Sequence, residues 1–370
     1  MKKFTDETQY TSTMTVKPQT QERLYFWGRP LSPLYSCLMA NRSSLYRKGF
    51  FKQYELEVPV ISAGNLVLGG TGKTPLVHYI AKFLHQYKKK PAILSRGYKG
   101  TATGEINVVS DGTDILLDAT HAGDEPRLLA ERLPHVPVVT GKKRSITGRF
   151  AIDSFGADCL ILDDGFQHMS LKRDLDLVLF SAHKLLGNGR VLPGGDLREP
   201  LSALKRADAF VISGIDTPIN DNAGQFIKFL NDLFPDTRVF TGSYLPDENI
   251  NRTYSGKNDT LSLFESRKLP VYGFCGIAQP ESFHDILKKS DMNLVGFQPF
   301  ADHHAYSPDD IKALYNNGVS AGAQGLITTE KDLVKIRNLF PQDFPLLSFP
   351  IQLQMGADFD QYLLNKLEIS

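Results

Sequence analysis

The residues best placed to do chemistry are Gly69-Gly70-Thr71-Gly72-Lys73-Thr74. Glycines let backbone N–H groups turn toward a phosphate without a Cβ in the way. A lysine after them reaches the β- and γ-phosphates of a nucleotide, and the next hydroxyl, Thr74, can hold Mg²⁺. The usual pattern has glycine five positions before the Gly-Lys pair. This chain has Val67 there, so the loop is a variant of G-G-x-G-K-T spacing. A second group is Asp163-Asp164, which ends the apolar run Cys159-Leu160-Ile161-Leu162. Magnesium favours one or two carboxylates with retained water. Asp163 is therefore expected to hold the metal, although Asp-Asp-Gly after a strand is by itself an ordinary turn. Gln167 and His168 follow at once and are expected over the same edge, where ligands bind in open α/β sheets.

The surrounding pattern supplies the elements such residues need. The strand-like Val58–Ala63 precedes the glycine loop, and a helical pattern with Leu76, Ile80, Phe83 and Leu84 follows it. Strand, loop and helix N-terminus together form an anion site. Further strands are expected at Ala92–Ser95, Ile106–Val109, Val136–Thr140, Leu175–Phe180 and Ala209–Ser213. Helices are expected at Leu76–His85, Pro126–Leu133 and Ser145–Phe155. The alternation predicts an α/β fold of the P-loop type, with a mostly parallel sheet covered on both faces. A polar stretch at about 245–265 reads as a linker. Beyond it, Val271–Cys275, Leu294–Phe297 and Gly325–Thr328, with helical stretches between them, predict a second, smaller α/β domain over 266–370. The P-loop domain is expected over 55–244.

Length and composition narrow the class. At 370 residues two domains are expected. The net charge of +1 gives no field that would argue for nucleic acid. Three distant cysteines, Cys37, Cys159 and Cys275, favour reduced thiols over a disulfide framework or zinc site. No apolar run is long enough for a transmembrane helix, and no signal-like segment is recognised. Residues 1–22 read as a polar, disordered tail. From Arg23 to Tyr54 there is no acidic residue, while Arg23, Arg29, Arg42, Arg47, Lys48 and Lys52 alternate with Tyr25, Phe26, Trp27, Phe50 and Phe51. Basic charge with apolar bulk suits a segment lying on an anionic membrane surface. A helix packed on the core with a solvated basic rim has the same composition.

A series of ordered motifs then points to one family. After the G-G-T-G-K-T-P loop come Leu94-Ser95-Arg96-Gly97-Tyr98, Gly123-Asp124-Glu125-Pro126 and Asp163-Asp164-Gly165-Phe166-Gln167-His168. Gly187-Asn188-Gly189-Arg190, Leu197-Arg198-Glu199-Pro200, Phe274-Cys275-Gly276-Ile277, Asp302-His303-His304 and Thr328-Thr329-Glu330-Lys331-Asp332 follow. From about residue 30 to about 350 the chain resembles the tetraacyldisaccharide 4'-kinases of lipid A biosynthesis in Gram-negative bacteria. The resemblance implies transfer of the ATP γ-phosphoryl, with Mg²⁺, to the 4'-hydroxyl of a lipid A disaccharide 1-phosphate precursor. It also implies a peripheral location on the cytoplasmic face of the inner membrane.

A sugar hydroxyl needs a group to take its proton as it attacks phosphorus. Locally, Gly-Asp-Glu-Pro reads as a helix cap. The resemblance instead implies that Asp124 is catalytic and pairs with a histidine of the second domain, His303 or His304, with His303 favoured. It also makes Glu199 a candidate metal ligand. Arg96, Arg144 and Arg198 are candidate contacts to phosphate or acceptor, or members of ordinary ion pairs. The rival of another class is a membrane-associated, nucleotide-switched ATPase of the partitioning type. Such proteins carry a signature lysine just before the first glycine, where this chain has Leu68.

Overall fold

The computed structural model describes residues 19–215, 219, 221–254, 257–337, 339–340 and 344–369. Two sheets organise the chain. The larger has nine strands in the order Ile351–Met355, Arg238–Pro246, Ala209–Ser213, Leu175–Ser181, Val60–Asn65, Cys159–Asp163, Pro91–Ser95, Val138–Thr140 and Asn107–Ser110. Seven neighbouring strands run parallel, and only the two edge strands are antiparallel to their neighbours. The expected α/β fold with a mostly parallel sheet is observed.

The central strands are buried along their whole length because helices cover both faces. Their side chains divide by the two-residue period of a strand. Ile61, Ile93 and Ile161 meet Leu76, Ile80 and Leu84 of the helix Lys73–Gln86 on one face. Val60, Leu94, Leu160 and Leu162 meet Ala151 of the helix Arg144–Phe155 on the other. Farther along the sheet, Phe180, Phe210 and Ile212 pack against Phe226 and Leu230 of the helix Asp221–Leu233.

Parallel pairing aligns the functional ends of the strands. Ala63 of Val60–Asn65 lies in register with Asp163. The glycine loop after Asn65 and the Asp163-Asp164 pair therefore emerge side by side at the carboxyl edge.

The smaller sheet has six strands in the order Lys257–Ser262, Asn249–Tyr254, Leu346–Phe349, Gly325–Thr329, Val271–Cys275 and Leu294–Pro299. The last four pair in parallel around a core containing Val271, Phe283, Ile327 and Leu347. Two features depart from the expected boundaries. The stretch at 245–265 is not a bare linker, because Asn249–Tyr254 and Lys257–Ser262 form an antiparallel hairpin on the second sheet. Its polar residues reflect an edge position, where a strand has little apolar surface to bury. The end of the chain does not belong wholly to the second unit either. Ile351–Met355 joins the first sheet, and Phe359, Tyr362 and Leu363 of the helix Ala357–Lys366 complete its core. Where the chain crosses between the sheets, the Asp247 N–H donates to the Pro350 carbonyl at 3.0 Å.

At the N-terminus, residues 1–18 of the expected tail lie outside the described residues, whereas Gln19 opens the helix Gln19–Gly28. A short 3₁₀ turn, Arg29–Leu31, leads to the helix Ser32–Arg47. Ser32 Oγ donates to the Val191 carbonyl at 2.7 Å, and Gly28 lies so close to Pro193 that a Cβ would overlap its carbonyl.

Candidate active site

The glycine loop is held from several sides. Asn65, the last residue of the central strand, donates from Nδ2 to the Val67 carbonyl at 2.7 Å and to Thr71 Oγ1 at 2.8 Å. Lys184 Nζ donates to the Leu68 carbonyl at 2.6 Å, and Ser213 Oγ donates to the Thr71 carbonyl at 2.9 Å. Gly72 has φ +85°, and a Cβ there would lie 2.0 Å from the Tyr244 hydroxyl. This position needs glycine for conformation and for space. Val67, the departure from the usual pattern, is buried in the core and bridges to Leu197. It anchors the loop by packing. Gly72 is the N-cap of the helix that begins at Lys73, so the N-terminal donors of that helix open where Gly69–Thr74 converge.

The acidic group lies beside this loop. Asp164, at φ +57°, accepts both of its short contacts from Arg198 Nη1, at 2.8 and 2.9 Å, and has Lys73 Nζ at 3.6 Å. Burial would raise its pKa, but Lys73 and Arg198 outweigh burial and hold it below the usual carboxylate value. Asp163 is fully buried. Ser95 Oγ donates to its Oδ2 at 3.1 Å, while its Oδ1 has no partner among the described residues. Burial, then the charges of Glu125 and Asp164, push Asp163 up to about 7. A buried carboxylate oxygen without a donor, in the field of Lys73, is what a hard divalent cation would satisfy. Among the described residues no cluster of three or more His, Cys, Asp or Glu forms a closed metal cage.

The third group joins the two units. Gly123, at φ +91°, is the N-cap of the helix Asp124–Arg132, and a Cβ there would lie 2.6 Å from the Tyr98 carbonyl. Asp124 is thus the first residue of the helix and not its cap. Its Oδ2 lies 3.1 Å from His303 Nδ1 and 3.8 Å from Lys335 Nζ. Burial favours the neutral acid, but the His303 hydrogen bond with the Lys335 and Lys331 charges keeps the Asp124 pKa below its ordinary value. The choice between the two histidines is resolved by geometry. His303 meets Asp124, whereas His304 Nε2 turns to Asp310 at 3.2 Å. Glu125 links the groups, because it lies 3.6 Å from Lys331 and contributes to the field on Asp163.

The remaining expected residues divide. Gln167 donates to the Asn65 carbonyl at 3.0 Å and accepts from Arg198 at 3.3 Å, so both border the loop. Arg144 is buried and donates to the Gly141 carbonyl. Burial lowers its pKa to about 10, against the opposing pull of Asp163 and Asp164. His168 bonds to Ser170 at 3.0 Å, and burial with Arg144, Arg173, Arg42 and Arg96 nearby lowers it to about 4. Arg96 is exposed just past the end of Pro91–Ser95. Glu199, the weaker candidate for the metal, is engaged by an arginine. Both of its oxygens accept from Arg206, at 3.0 and 3.1 Å, in a buried pair stacked on Phe166.

Sequence reasoning passed over Lys331 and Lys335, which flank the histidine, and Tyr244 and Gln279, which close on the loop. The T-T-E-K-D motif at 328–332 was the one signal that could have marked Lys331, and Lys335 lies beyond it.

The N-terminal segment leaves large apolar side chains uncovered. Trp27 is 78% and Phe50 75% exposed, with Leu24, Phe26, Leu34 and Leu38 also outward. The same segment touches the site from behind, since Arg42 donates to the Gln167 carbonyl at 3.2 Å and Tyr35 to the Arg198 carbonyl at 3.2 Å. Among the described residues no helix is long and apolar enough to cross a membrane.

Comparison with known proteins agrees with this geometry. A family model described as tetraacyldisaccharide-1-P 4'-kinase matches residues 24–368. A tetraacyldisaccharide 4'-kinase of Desulfotalea psychrophila is 46% identical over 94% of this chain and 98% of its own length. One from Syntrophus aciditrophicus is 36% identical over 91% of each chain. The crystal structure of LpxK from Aquifex aeolicus in complex with ATP superposes with a TM-score of 0.71 at 29% identity, covering 94% of this chain and 99% of that one. With its phosphate loop, paired aspartates and cross-domain Asp–His contact in place, this chain belongs to the tetraacyldisaccharide-1-P 4'-kinase family.

Proposed function

We propose that this chain transfers the γ-phosphoryl group of ATP to the 4'-hydroxyl of tetraacyldisaccharide 1-phosphate, with Asp124 as general base. The observation that carries the reading is the meeting of Asp124 and His303 from different units, with the adjoining Glu125 in the field of Asp163. Lys73 and the N–H groups of Gly69–Thr74 receive the β- and γ-phosphates. Thr74 and the unpartnered oxygen of Asp163 are the residues that would hold Mg²⁺, which when bound neutralises charge on the transferring phosphate. Arg198 keeps Asp164 charged and next to Lys73.

Both short contacts of Asp124 use Oδ2, so Oδ1 remains for the acceptor. As the sugar oxygen bonds to the γ-phosphorus, its proton passes to Asp124 Oδ1 and the bond from phosphorus to the ADP oxygen breaks. Arg96 and Arg144, whose charges act on one another and, for Arg144, with those of Asp163 and Asp164, are the candidates to meet an anionic acceptor. The exposed apolar face and basic residues of 23–54 rest on the cytoplasmic leaflet of the inner membrane, where a four-chain lipid resides. The fit is one of composition and exposure, and the continuity of that segment with the site through Arg42 and Tyr35 supports it.

Incubation with MgATP and a tetraacyl disaccharide 1-phosphate is expected to yield a bisphosphorylated lipid by mass spectrometry. Asp124→Asn should lower kcat by about 100-fold or more with ATP affinity unchanged. Turnover close to wild type in that variant would refute the assignment of the base. ATP consumption indifferent to the acceptor would favour a nucleotide switch instead.

A further inference from the structure

His303 has a partner on each ring nitrogen, and only one of them belongs to the pair already described. Lys331 Nζ lies 3.1 Å from His303 Nε2. Lys331 itself sits in a ring of acids, 3.4 Å from Asp302 and 3.6 Å from Glu125. Burial favours its neutral form, but the charges of Glu125, Asp302, Asp124 and Asp332 overcome burial and hold it as an ammonium. An ammonium has donors and no acceptor. The nitrogen facing it must therefore present a lone pair, and the ring proton must lie on Nδ1. Nδ1 in turn faces Asp124 Oδ2, which can only accept while it is ionised.

We propose that Lys331 is a positioning residue that locks His303 in the Nδ1–H tautomer, so that the histidine orients Asp124 and leaves the aspartate as the group that receives the acceptor proton. The proposal rests on the reading of Asp124 as the base and adds which member of the pair takes the proton. With Nε2 engaged by Lys331, His303 has no free lone pair to offer an incoming hydroxyl. With Nδ1–H donated to Oδ2, the carboxylate is pinned through that oxygen and Oδ1 is left for the acceptor. Without Lys331, the group left facing Nε2 is Asp302, 3.9 Å away, a carboxylate that would accept an Nε2–H and so favour the other tautomer. That tautomer would place a lone pair against the Asp124 carboxylate and release it.

The helix Glu330–Ile336 is built for the task. Thr329 caps it by accepting from the Asp332 N–H at 3.1 Å, and Glu330 ties it to Arg132 at 2.9 Å. Lys331 and Lys335, one turn apart, then address the two members of the pair. The buried Asp332 holds Lys335 at 2.7 Å and also accepts from the Gly276 N–H at 2.9 Å. The Gly276 carbonyl receives the His303 N–H at 3.0 Å, so one carboxylate fixes the lysine and the histidine backbone together. His303 itself adopts φ +58°, in the left-handed region that few non-glycine residues occupy, and these contacts maintain it.

The test reads the tautomer directly. Long-range ¹H–¹⁵N correlation spectra of the histidine-labelled full-length protein, with His303 assigned by its loss in His303→Gln, report which nitrogen carries the proton. The wild type and Lys331→Arg are expected to show the Nδ1–H form, and Lys331→Met the Nε2–H form or a mixture. In turnover assays Lys331→Met should lower kcat by about 10- to 100-fold with KM for ATP unchanged, and Lys331→Arg should recover most of it. An unchanged Nδ1–H form in Lys331→Met would overturn the proposal. Because the spectra need neither ATP nor acceptor, normal turnover in Asp124→Asn would refute the base while leaving the tautomer lock standing on its own measurement.

Discussion

Replacing Asp163 with asparagine sets stability against function, and the structure supplies the size of the effect. Asp163 is fully enclosed, one of its oxygens has no donor, and Glu125 and Asp164 add negative charge nearby. Its pKa rises from 3.8 to about 7 as a result. A rise of that size corresponds to about 4 kcal/mol of ionisation cost in the folded state. The sign follows from proton counting. Between pH 4 and about 7 the folded protein holds a proton on Asp163 that the unfolded chain has lost, so stability falls as pH rises through this window and is level above it. Asparagine keeps the shape and still accepts from Ser95, but it carries no charge. Its amide must be buried and Lys73 loses an attraction, which together remove about half of the gain. The ligand-free variant should therefore be more stable than wild type by about 2 kcal/mol at pH 8, roughly 3 °C in Tm for a chain of 370 residues. The two should converge toward pH 5. Calorimetry across this pH range measures the difference, and magnesium-dependent turnover measured alongside should be lost. A variant no more stable than wild type at pH 8, or one with normal magnesium dependence, would refute the account of Asp163 as a strained, waiting ligand.

Two further outcomes are expected from other parts of the molecule. Gly72→Ala forces a side chain into positive φ and onto Tyr244, at a combined cost of about 2–5 kcal/mol, so it should lower Tm and abolish ATP binding in a titration. Replacing the exposed Leu24, Phe26 and Trp27 with serine should reduce co-sedimentation with anionic vesicles at least about 10-fold, since each inserted side chain contributes roughly 1.5–3 kcal/mol. Unchanged co-sedimentation would remove the proposed leaflet contact.

What could be read in the residues alone was whatever is local in the chain. The strand, glycine loop and helix around Lys73 are contiguous, and their roles follow from φ preferences and helix-end donors that need no distant partner. The apolar runs of the central strands were equally plain, because a strand buried on both faces carries its environment in its composition. The hairpin at 249–262 and the return of Ile351–Lys366 to the first sheet were not legible. An edge strand has little apolar signature, and nothing local tells a strand which of two sheets it will extend.

The tertiary structure alone decided which charged groups meet. Asp124 and His303 lie far apart in sequence, and only packing of the second unit against the helix Asp124–Arg132 brings them to 3.1 Å. It also decided that Glu199 pairs with Arg206 and that Lys331 faces His303. Electrostatic partners are chosen by distance in space and by the water excluded around them, and a linear order of residues encodes neither.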